Sequence, residues 1–300
     1  MTDLLHGFAG KWDLLECGNC GLIYLAPTIP ESRMGDYYPE NYAAYSAGEL
    51  SASPLVRIVK SLLILPYTMR FGQPGYFPTP FGNGRLLDVG CGAGIHVRQM
   101  SQLGWICTGV DMSPHALESA RRLNPAAEFH MGLAGDLAPG EAFDLISMHH
   151  VLEHLHHPRQ ALADCYQRLR PGGRLVVNVP NIGSFEARCF GRQWNGLDAP
   201  RHLLHFRENV LERFLQEAGF EIEAKRPGMF ATSVSESLTM CLPAGLRRRL
   251  RRSRLEHLLY QALLPFTAIS YLLGNRSTLE VVAVKPLGDS AANSAVDIWD

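Results

Sequence analysis

The sequence is short of several features that mark specialised classes of protein. No stretch reaches the roughly 20 uninterrupted apolar residues that a membrane-spanning helix needs, and the 300 residues carry a net charge of -1. Such a balance offers no overall attraction to nucleic acid, which is therefore not expected as a partner. The 7 cysteines are an odd number and no signal-peptide pattern follows Met1. We therefore expect reduced thiols and a cytoplasmic location.

A second cysteine pair near the start of the chain is also missing. Cys17 and Cys20 form one Cys-x2-Cys-Gly half-site, whereas tetrahedral zinc takes four ligands. The spacing of His6 gives no reason to count it as a third ligand. The sequence therefore predicts no metal at this pair.

The most informative feature of the sequence is a glycine-rich turn at residues 90–94. The apolar run Leu86–Val89 leads into glycines at alternate positions, 90, 92 and 94, and a helical pattern begins near Ile95. A strand that feeds a helix through such a turn brings a ligand against the backbone, where N–H groups at the helix start favour an anionic group. Ile95 stands where a dinucleotide-binding turn has its third glycine, which disfavours a pyrophosphate. Asp111 ends the next apolar run, where a carboxylate can accept both ribose hydroxyls, so the pattern predicts a nucleoside ligand.

Strand and helix patterns alternate from Arg85 onward. This alternation predicts an α/β fold, with a mostly parallel sheet covered by helices and ligands at the carboxyl ends of its strands. The predicted strands are Leu86–Val89, Ile106–Val110, Glu128–Met131, Phe143–Met148, Arg174–Val179, Phe220–Lys225 and Thr278–Lys285.

Four stretches carry a family resemblance. The glycine turn with its preceding Asp88, Phe143–Ile146, Val151–His154 and Leu169–Gly173 resemble, in order, motifs of the class I S-adenosylmethionine (SAM)-dependent methyltransferases, including the quinone O-methyltransferase-like branch. The resemblance covers residues 85–228 and the last strand. It implies a Rossmann-like sheet of seven strands with the last antiparallel, in a methyltransferase domain spanning residues 85–287.

The resemblance also implies a set of cofactor contacts. The glycines would hold the methionine portion of SAM, Asp88 would lie near its ammonium, and Asp111 would hold the ribose with Met112 on the adenine. The full set of expected cofactor-binding residues is Asp88, Gly90, Cys91, Gly92, Gly94, Asp111, Met112, Leu133, Ala134, Asp136 and His149.

Histidines are the candidate bases, because transfer to an oxygen or nitrogen usually needs a group with a pKa near neutrality. His202, in a Pro-Arg-His sequence that the subfamily shares, is the first candidate, followed by His154 and His150. The alternative is that His202 and His154 only close a loop onto the core. A related quinone branch binds a divalent ion near this point, but His150 replaces an acidic residue there, so a metal is not favoured.

The remaining segments are assigned to additions around this domain. Residues 1–84 form an N-terminal extension that resembles a degenerate zinc knuckle, followed by a helix predicted at Leu55–Phe71. Its tyrosines are expected to cover the cofactor or, alternatively, to pack as a flap: Tyr37, Tyr38, Tyr42 and Tyr45. The insertion 233–277 is predicted to be helical, and its basic and apolar stretch 247–273 predicts contact with a membrane surface, with a dimer or cap helix as the alternative. Residues 288–300 are expected to be disordered.

The sequence thus predicts a SAM-dependent methyltransferase acting on a small molecule or glycan. A sugar or polysaccharide intermediate is the first choice of acceptor, on the basis of the knuckle-plus-core layout. Methylation of a quinone or phenol is the alternative, and a non-catalytic, membrane-docked subunit with the same fold is the rival from another class.

Overall fold

The computed structural model describes residues 1–38, 75–228, 233–250 and 276–288, with the isolated positions 65, 69, 262 and 263. Within these residues the strands are β1 (Asp13–Glu16), β2 (Ile23–Ala26), β3 (Arg85–Val89), β4 (Ile106–Asp111), β5 (Glu128–Met131), β6 (Phe143–His149), β7 (Leu169–Pro180), β8 (Leu204–His205), β9 (Glu221–Gly228) and β10 (Thr278–Val284). The α-helices there are α1 (Glu31–Met34), α2 (Ile95–Gln102), α3 (Pro114–Leu123), α4 (Pro158–Arg168), α5 (Phe185–Phe190), α6 (Glu208–Glu217), α7 (Ser233–Met240) and α8 (Ala244–Leu250).

The central sheet has seven strands in the order β5-β4-β3-β6-β7-β10-β9. Strands β5, β4, β3, β6 and β7 run parallel to one another. Strand β10 is antiparallel to both β7 and β9. The predicted seven-stranded, mostly parallel sheet with an antiparallel last strand is confirmed.

Strand β3, an inner strand of this sheet, is buried on both faces. Leu86 packs in one apolar cluster, whereas Leu87 and Val89 pack in another. Successive side chains of a strand point to opposite faces, so one short apolar run serves both layers of helices. This is why β3 has a near-continuous apolar sequence.

A second, three-stranded sheet has the order β1-β2-β8. Ile23 of β2 pairs with His205 of β8, which follows the loop after β7 along the chain. The N-terminal hairpin is therefore fixed to the segment that follows β7 of the central sheet.

Most predicted boundaries agree with the structure to within a few residues, and β7 differs the most. It runs from Leu169 to Pro180 instead of Arg174–Val179, because the Gly172 N–H donates to the Lys285 carbonyl (2.8 Å) and continues the pairing with β10. The predictions for Leu55–Phe71, Tyr42, Tyr45, most of 251–273 and the tail from residue 289 lie outside the described residues. Among those described, no helix combines the length and apolar character needed to cross a bilayer.

Candidate active site

A cavity of about 1280 Å³ opens at the carboxyl ends of the parallel strands. Its volume exceeds the roughly 300–1,000 Å³ of common small-molecule sites, so it has room for two molecules. One end, called the cofactor end below, is lined by Gly90, Asp111, Met112, Ser113, Leu133 and His149. The opposite end, called the acceptor end, is lined by residues that include Leu4, Leu5, His6, Met34, Tyr38, His154, Leu155, Trp194, Asp198, His202 and Met240.

The glycine turn connects β3 to α2 with all three glycines at positive φ: 68° at Gly90, 52° at Gly92 and 76° at Gly94. Only Gly90 of the three lines the cavity. A Cβ atom at Gly90 would lie 2.4 Å from Cγ2 of Val151, and one at Gly94 would lie 2.6 Å from Nδ2 of Asn124. Gly90 thus allows the backbone to border the cavity, whereas Gly94 allows α2 to pack closely on α3.

Four N–H groups of the turn have acceptors within the protein. The N–H groups of Gly90 and Cys91 donate to the Val110 carbonyl at 2.8 and 3.0 Å, and the Gly94 N–H donates to the Cys91 carbonyl. The Gly92 N–H donates to Oδ2 of Asp111 at 2.8 Å. An anion at this turn would therefore not be bound by these four donors.

Asp111 ends β4 at the edge of the cavity. Its Oδ2 accepts from Gly92 and its Oδ1 accepts from the Ser113 N–H at 2.8 Å. Burial raises the pKa of this carboxyl, and the backbone donors act against that rise. Because a carboxylate offers about four acceptor positions, two remain for hydroxyl groups of a ligand.

Asp88 lies beneath the cavity and does not border it. It is buried and accepts a hydrogen bond of 2.7 Å from the Ser147 hydroxyl. Burial raises the pKa of Asp88 to about 6. His149, which borders the cavity, has its pKa lowered to about 3 by burial and by the nearby His96. The neutral His149 at the cofactor end has a buried Nε2 with no hydrogen-bond partner among the residues that the structure describes.

The other expected cofactor residues divide into two groups. Met112 is 67% exposed and borders the cavity together with Leu133. Cys91 and Ala134 are buried in the two apolar clusters and do not border the cavity. Asp136 also lies away from it, and its Oδ2 accepts from the Leu133 N–H at 2.8 Å, which fixes its own turn.

His202 is oriented for proton transfer. Its Nδ1 lies 2.8 Å from the Gly196 carbonyl oxygen, and because a carbonyl only accepts, Nδ1 carries the proton. The neutral ring then has its lone pair on Nε2. That atom lies 4.0 Å from Oε1 of Glu153 and 4.0 Å from Oδ2 of Asp198.

His154 packs edge-on to His202, with ring centroids 4.6 Å apart. Its Nδ1 lies 3.0 Å from the Arg201 carbonyl oxygen and 2.9 Å from the Tyr38 hydroxyl. Burial lowers the pKa of His154 to about 4, and the neighbouring His202 contributes to this shift. Tyr38 of the N-terminal extension therefore covers the acceptor end of the cavity instead of the cofactor end.

Glu153 is the acidic centre of this cluster. It is 1% exposed, and its Oε1 lies 3.2 Å from Nδ1 of His150, while Oε2 has no partner among the described residues. Burial opposes ionisation, but the hydrogen bond from His150 and the surrounding histidines lower the pKa of Glu153 to about 2. Glu153, His154 and His202 each offer a ligand atom within 4.8 Å of the others, so they are the described residues that could hold a metal ion.

The sequence interpretation missed the residues that close the acceptor end. Leu4, Leu5 and His6 precede the cysteine pair, and Asp3 forms a buried ion pair with Arg201. No local pattern connects residues so distant along the chain. Trp194, in the segment between β7 and β8, also lines this end of the cavity.

A family model described as a methyltransferase domain matches residues 64–225, which is more than half of the chain. The chain belongs to this family. The prediction of a class I SAM-dependent methyltransferase is thereby confirmed.

Two curated relatives each match part of this chain. The mitochondrial ubiquinone biosynthesis O-methyltransferase of Schizosaccharomyces pombe is 37% identical over 107 residues, covering 33% of this chain and 39% of that protein. The ubiquinone biosynthesis O-methyltransferase of Aromatoleum aromaticum is 32% identical over 150 residues, covering 46% of this chain and 64% of that protein. The chain thus spans between 39% and 64% of the length of these two relatives. The crystal structure of an S-adenosylmethionine dependent methyltransferase from Mesorhizobium loti covers 67% of this chain and 90% of its own, with 20% identity and a TM-score of 0.45.

Proposed function

We propose that this protein transfers the methyl group of SAM to a hydroxyl of a phenolic or quinol ring, with His202 as the base. The observation that carries the proposal is the orientation of His202: a backbone carbonyl holds its Nδ1–H and leaves Nε2 as the acceptor in a cavity large enough for two molecules. The names of the curated relatives support a ring hydroxyl as the acceptor.

The residues at the cofactor end fit SAM. Gly90 brings bare backbone to the cavity wall, Asp111 retains acceptor capacity for ribose hydroxyls, and Met112 presents an uncovered apolar side chain suited to adenine. The unpartnered, neutral His149 suits a site for a cationic cofactor, since a charged imidazolium there would repel a sulfonium. Gly92, Gly94 and Asp88 would support this site from behind the wall.

SAM supplies an already activated methyl group, so the protein has to align the acceptor, exclude water and remove one proton. Nε2 of His202 would take that proton from the ring hydroxyl. Bound SAM would supply the methyl carbon, its S–C bond breaking as the C–O bond forms, with S-adenosylhomocysteine as the leaving group. The resulting imidazolium lies between the carboxylates of Glu153 and Asp198, each 4.0 Å from Nε2. His154, held by the Arg201 carbonyl, packs against the ring of His202 and limits its rotation.

An apolar ring fits the acceptor end better than a sugar does. Leu4, Leu5, Met34, Leu155 and Met240 contribute apolar surface there.

Three of the polar side chains nearby, those of Asn195, Ser233 and Glu236, already bind one another. The Asn195 amide donates to Glu236 at 3.0 Å, and the Ser233 hydroxyl donates to Asn195 at 3.0 Å. A sugar acceptor would have to displace these bonds, so the phenolic acceptor is preferred over the sugar that the sequence favoured. Membrane contact through 247–273 stays a prediction that suits an acceptor with a lipid tail, and the same holds for a dimer.

The test is methyl transfer from SAM to catechol and to an alkyl-substituted catechol, followed by mass spectrometry of the product. The variant His202→Ala is expected to lose about 100-fold or more in kcat while binding S-adenosylhomocysteine as the unsubstituted protein does. His130→Ala, which removes an exposed histidine outside the cavity, is the matched control and should retain full turnover.

Three outcomes would contradict parts of the proposal. Methylation of a sugar but of no catechol would exclude the phenolic acceptor, and failure to bind S-adenosylhomocysteine would exclude the function. Loss of turnover in EDTA with recovery on adding a divalent ion would replace the base by a metal held at Glu153, His154 and His202. Transfer that is unchanged in EDTA is expected.

A further inference from the structure

Arg201 is the centre of a fully buried ion cluster. Its side chain has no exposed surface, and that of Asp3 has none either. All five of its N–H groups have acceptors: two go to Asp3 at 3.0 and 3.1 Å, two go to Asp198 at 3.1 and 2.5 Å, and one goes to the Tyr37 carbonyl at 3.3 Å. A guanidinium satisfied in this way is held in one orientation.

Asp3 connects this cluster to the wall of the acceptor end. Its Oδ1 also accepts from the N–H groups of Leu5 and His6, both at 2.9 Å. Burial disfavours the charged carboxylate, but the hydrogen bonds and charge of Arg201 lower the pKa of Asp3 below its usual value. The carboxylate that anchors Arg201 therefore also fixes the turn that carries Leu4, Leu5 and His6 into the cavity wall.

Asp198 connects the same cluster to the base. Its backbone has a φ of 25°, which non-glycine residues rarely adopt, so neighbouring contacts must hold it. The Asp198 carbonyl accepts from the N–H groups of Arg201 and His202 at 2.8 and 3.1 Å. Any shift of Arg201 would thus move His202, the next residue in the chain.

We propose that Asp3 is a positioning residue that fixes, through Arg201 and Asp198, both the acceptor wall and the base. The inference rests on the proposed function and adds a determinant of acceptor binding to it. Asp3 lies outside the segment that the family model matches, 64–225. The N-terminal extension, and not the methyltransferase domain, therefore supplies Asp3 as a determinant of acceptor binding.

The chain provides a matched control for this ion pair. Glu16 of β1 binds Arg207 in the same two-pronged manner at 2.7 and 3.0 Å and joins the same two segments. Its side chain is 51% exposed, and that of Arg207 is 41% exposed. Breaking an exposed pair costs little, whereas removing one partner of a buried pair leaves an uncompensated charge.

The experiment compares Asp3→Asn with Glu16→Gln in the full chain. Asp3→Asn is expected to lower kcat/KM for catechol by about 10- to 100-fold, as a misplaced wall and base would. Its affinity for S-adenosylhomocysteine, measured by calorimetry, should remain unchanged. Glu16→Gln should leave both quantities unchanged. Asp3→Glu, which keeps the charge but moves it by one methylene, should recover part of kcat/KM and provides a second variant if Asp3→Asn does not fold.

Hydrogen exchange separates this inference from the proposed function. In Asp3→Asn the amides of residues 4–8 and 198–203 should exchange faster together, while those of β1 and β2 keep their protection. If the unsubstituted protein methylates no catechol but this coupled change occurs, the proposed acceptor is wrong and the connection through Arg201 stands. The inference is overturned if Asp3→Asn and Asp3→Glu melt at lower temperature yet keep full kcat/KM, or if the two segments exchange independently.

Discussion

The two ends of the cavity differ in how far apart along the chain their residues lie. The cofactor end is built from β3, β4 and β6 at the points where neighbouring parallel strands end, so its residues follow short, regular sequence patterns. The acceptor end combines the extension 1–38, the loop 194–206 and helix α7. The first arrangement lies within the segment that the family model matches, whereas the second also uses residues 1–38, which lie outside that segment. We expect substitutions at each end to act on different ligands.

The largest expected effect is on stability, and it involves both ends. Burial lowers the pKa values of four histidines well below that of an unfolded histidine: to about 4 for His96, 3 for His149, 4 for His154 and 3 for His205. Between pH 6.5 and 4 the unfolded chain therefore binds more protons, and each histidine removes about 1.4 kcal/mol of stability for each pH unit of acidification. Glu153, with its pKa lowered to about 2, removes more below pH 4.5, while Asp88, with its pKa raised to about 6, acts in the opposite direction between pH 6 and 3.8.

Urea unfolding at pH 7.5 and pH 5.0 tests this expectation. The free energy of unfolding should fall by about 5–7 kcal/mol across that interval. His205→Gln, which removes one of the four histidines, should lessen the fall by about a third. A stability that is flat between the two pH values would mean that these rings are hydrated or charged in the folded protein.

The next effect concerns the turn at the cofactor end. Gly90→Ala adds a Cβ 2.4 Å from Val151 to a residue with a φ of 68°, so steric overlap is added to backbone strain. We expect a loss of about 3 kcal/mol or more in stability and at least about tenfold weaker binding of S-adenosylhomocysteine. Gly140→Ala, at a φ of 90° with no atom within 4 Å, measures the strain alone. Equal losses in the two variants would show that the close approach at Gly90 is unimportant.

A smaller effect is expected from the ribose carboxylate. Asp111→Asn should weaken S-adenosylhomocysteine binding by about 5- to 150-fold, the equivalent of 1–3 kcal/mol for a charged hydrogen bond. Asp136→Asn removes a carboxylate of the same type that holds its own turn and does not border the cavity, so calorimetry should find its affinity unchanged. If the two variants lose affinity equally, Asp111 does not contact the cofactor.

The smallest effect belongs to the acceptor end. Tyr38→Phe removes the hydroxyl 2.9 Å from Nδ1 of His154 but keeps the ring. Since one uncharged hydrogen bond contributes about 0.5–1.5 kcal/mol, KM for catechol should rise by about 2- to 12-fold while S-adenosylhomocysteine binding is unchanged. A change in cofactor affinity instead would mean that the two ends are not separate.

Sequence patterns predicted the fold because each strand and its turn carry local signals. Pro114 at the start of α3 follows Ser113, whose hydroxyl accepts from the Ala116 N–H at 3.2 Å, as a capping serine should. The family resemblance assigned Gly90, Asp111, Met112, Leu133 and His149 to one site, and in the structure they line one cavity. It did not separate Gly90 from Cys91 and Asp136, because which side of a turn borders a cavity depends on the packing of other elements.

Local sequence patterns could not predict the geometry of the acceptor end either, because it depends on contacts between residues that are distant along the chain. The histidines at 154 and 202 were identified by residue type, but their contact depends on Arg201, whose carbonyl oxygen lies 3.0 Å from Nδ1 of His154. In the structure the carboxylates of Asp3 and Asp198 accept from the N–H groups of the Arg201 side chain. Only a folded chain reveals that the second residue after Met1 supplies this partner.

The three-stranded sheet has a consequence for how the protein matures on the ribosome. Strands β1 and β2 are synthesised first, yet their third partner, β8, is made only after five strands of the central sheet. During synthesis one edge of β2 therefore has no partner strand until β8 is made, whereas β3, which leads into the glycine turn, already has β4 and β6 beside it. A nascent chain halted before Leu204 would contain all of the cofactor end but would lack β8, the third strand of the smaller sheet. We therefore expect each newly made molecule to be able to bind its cofactor before the part of the protein that determines acceptor specificity is complete.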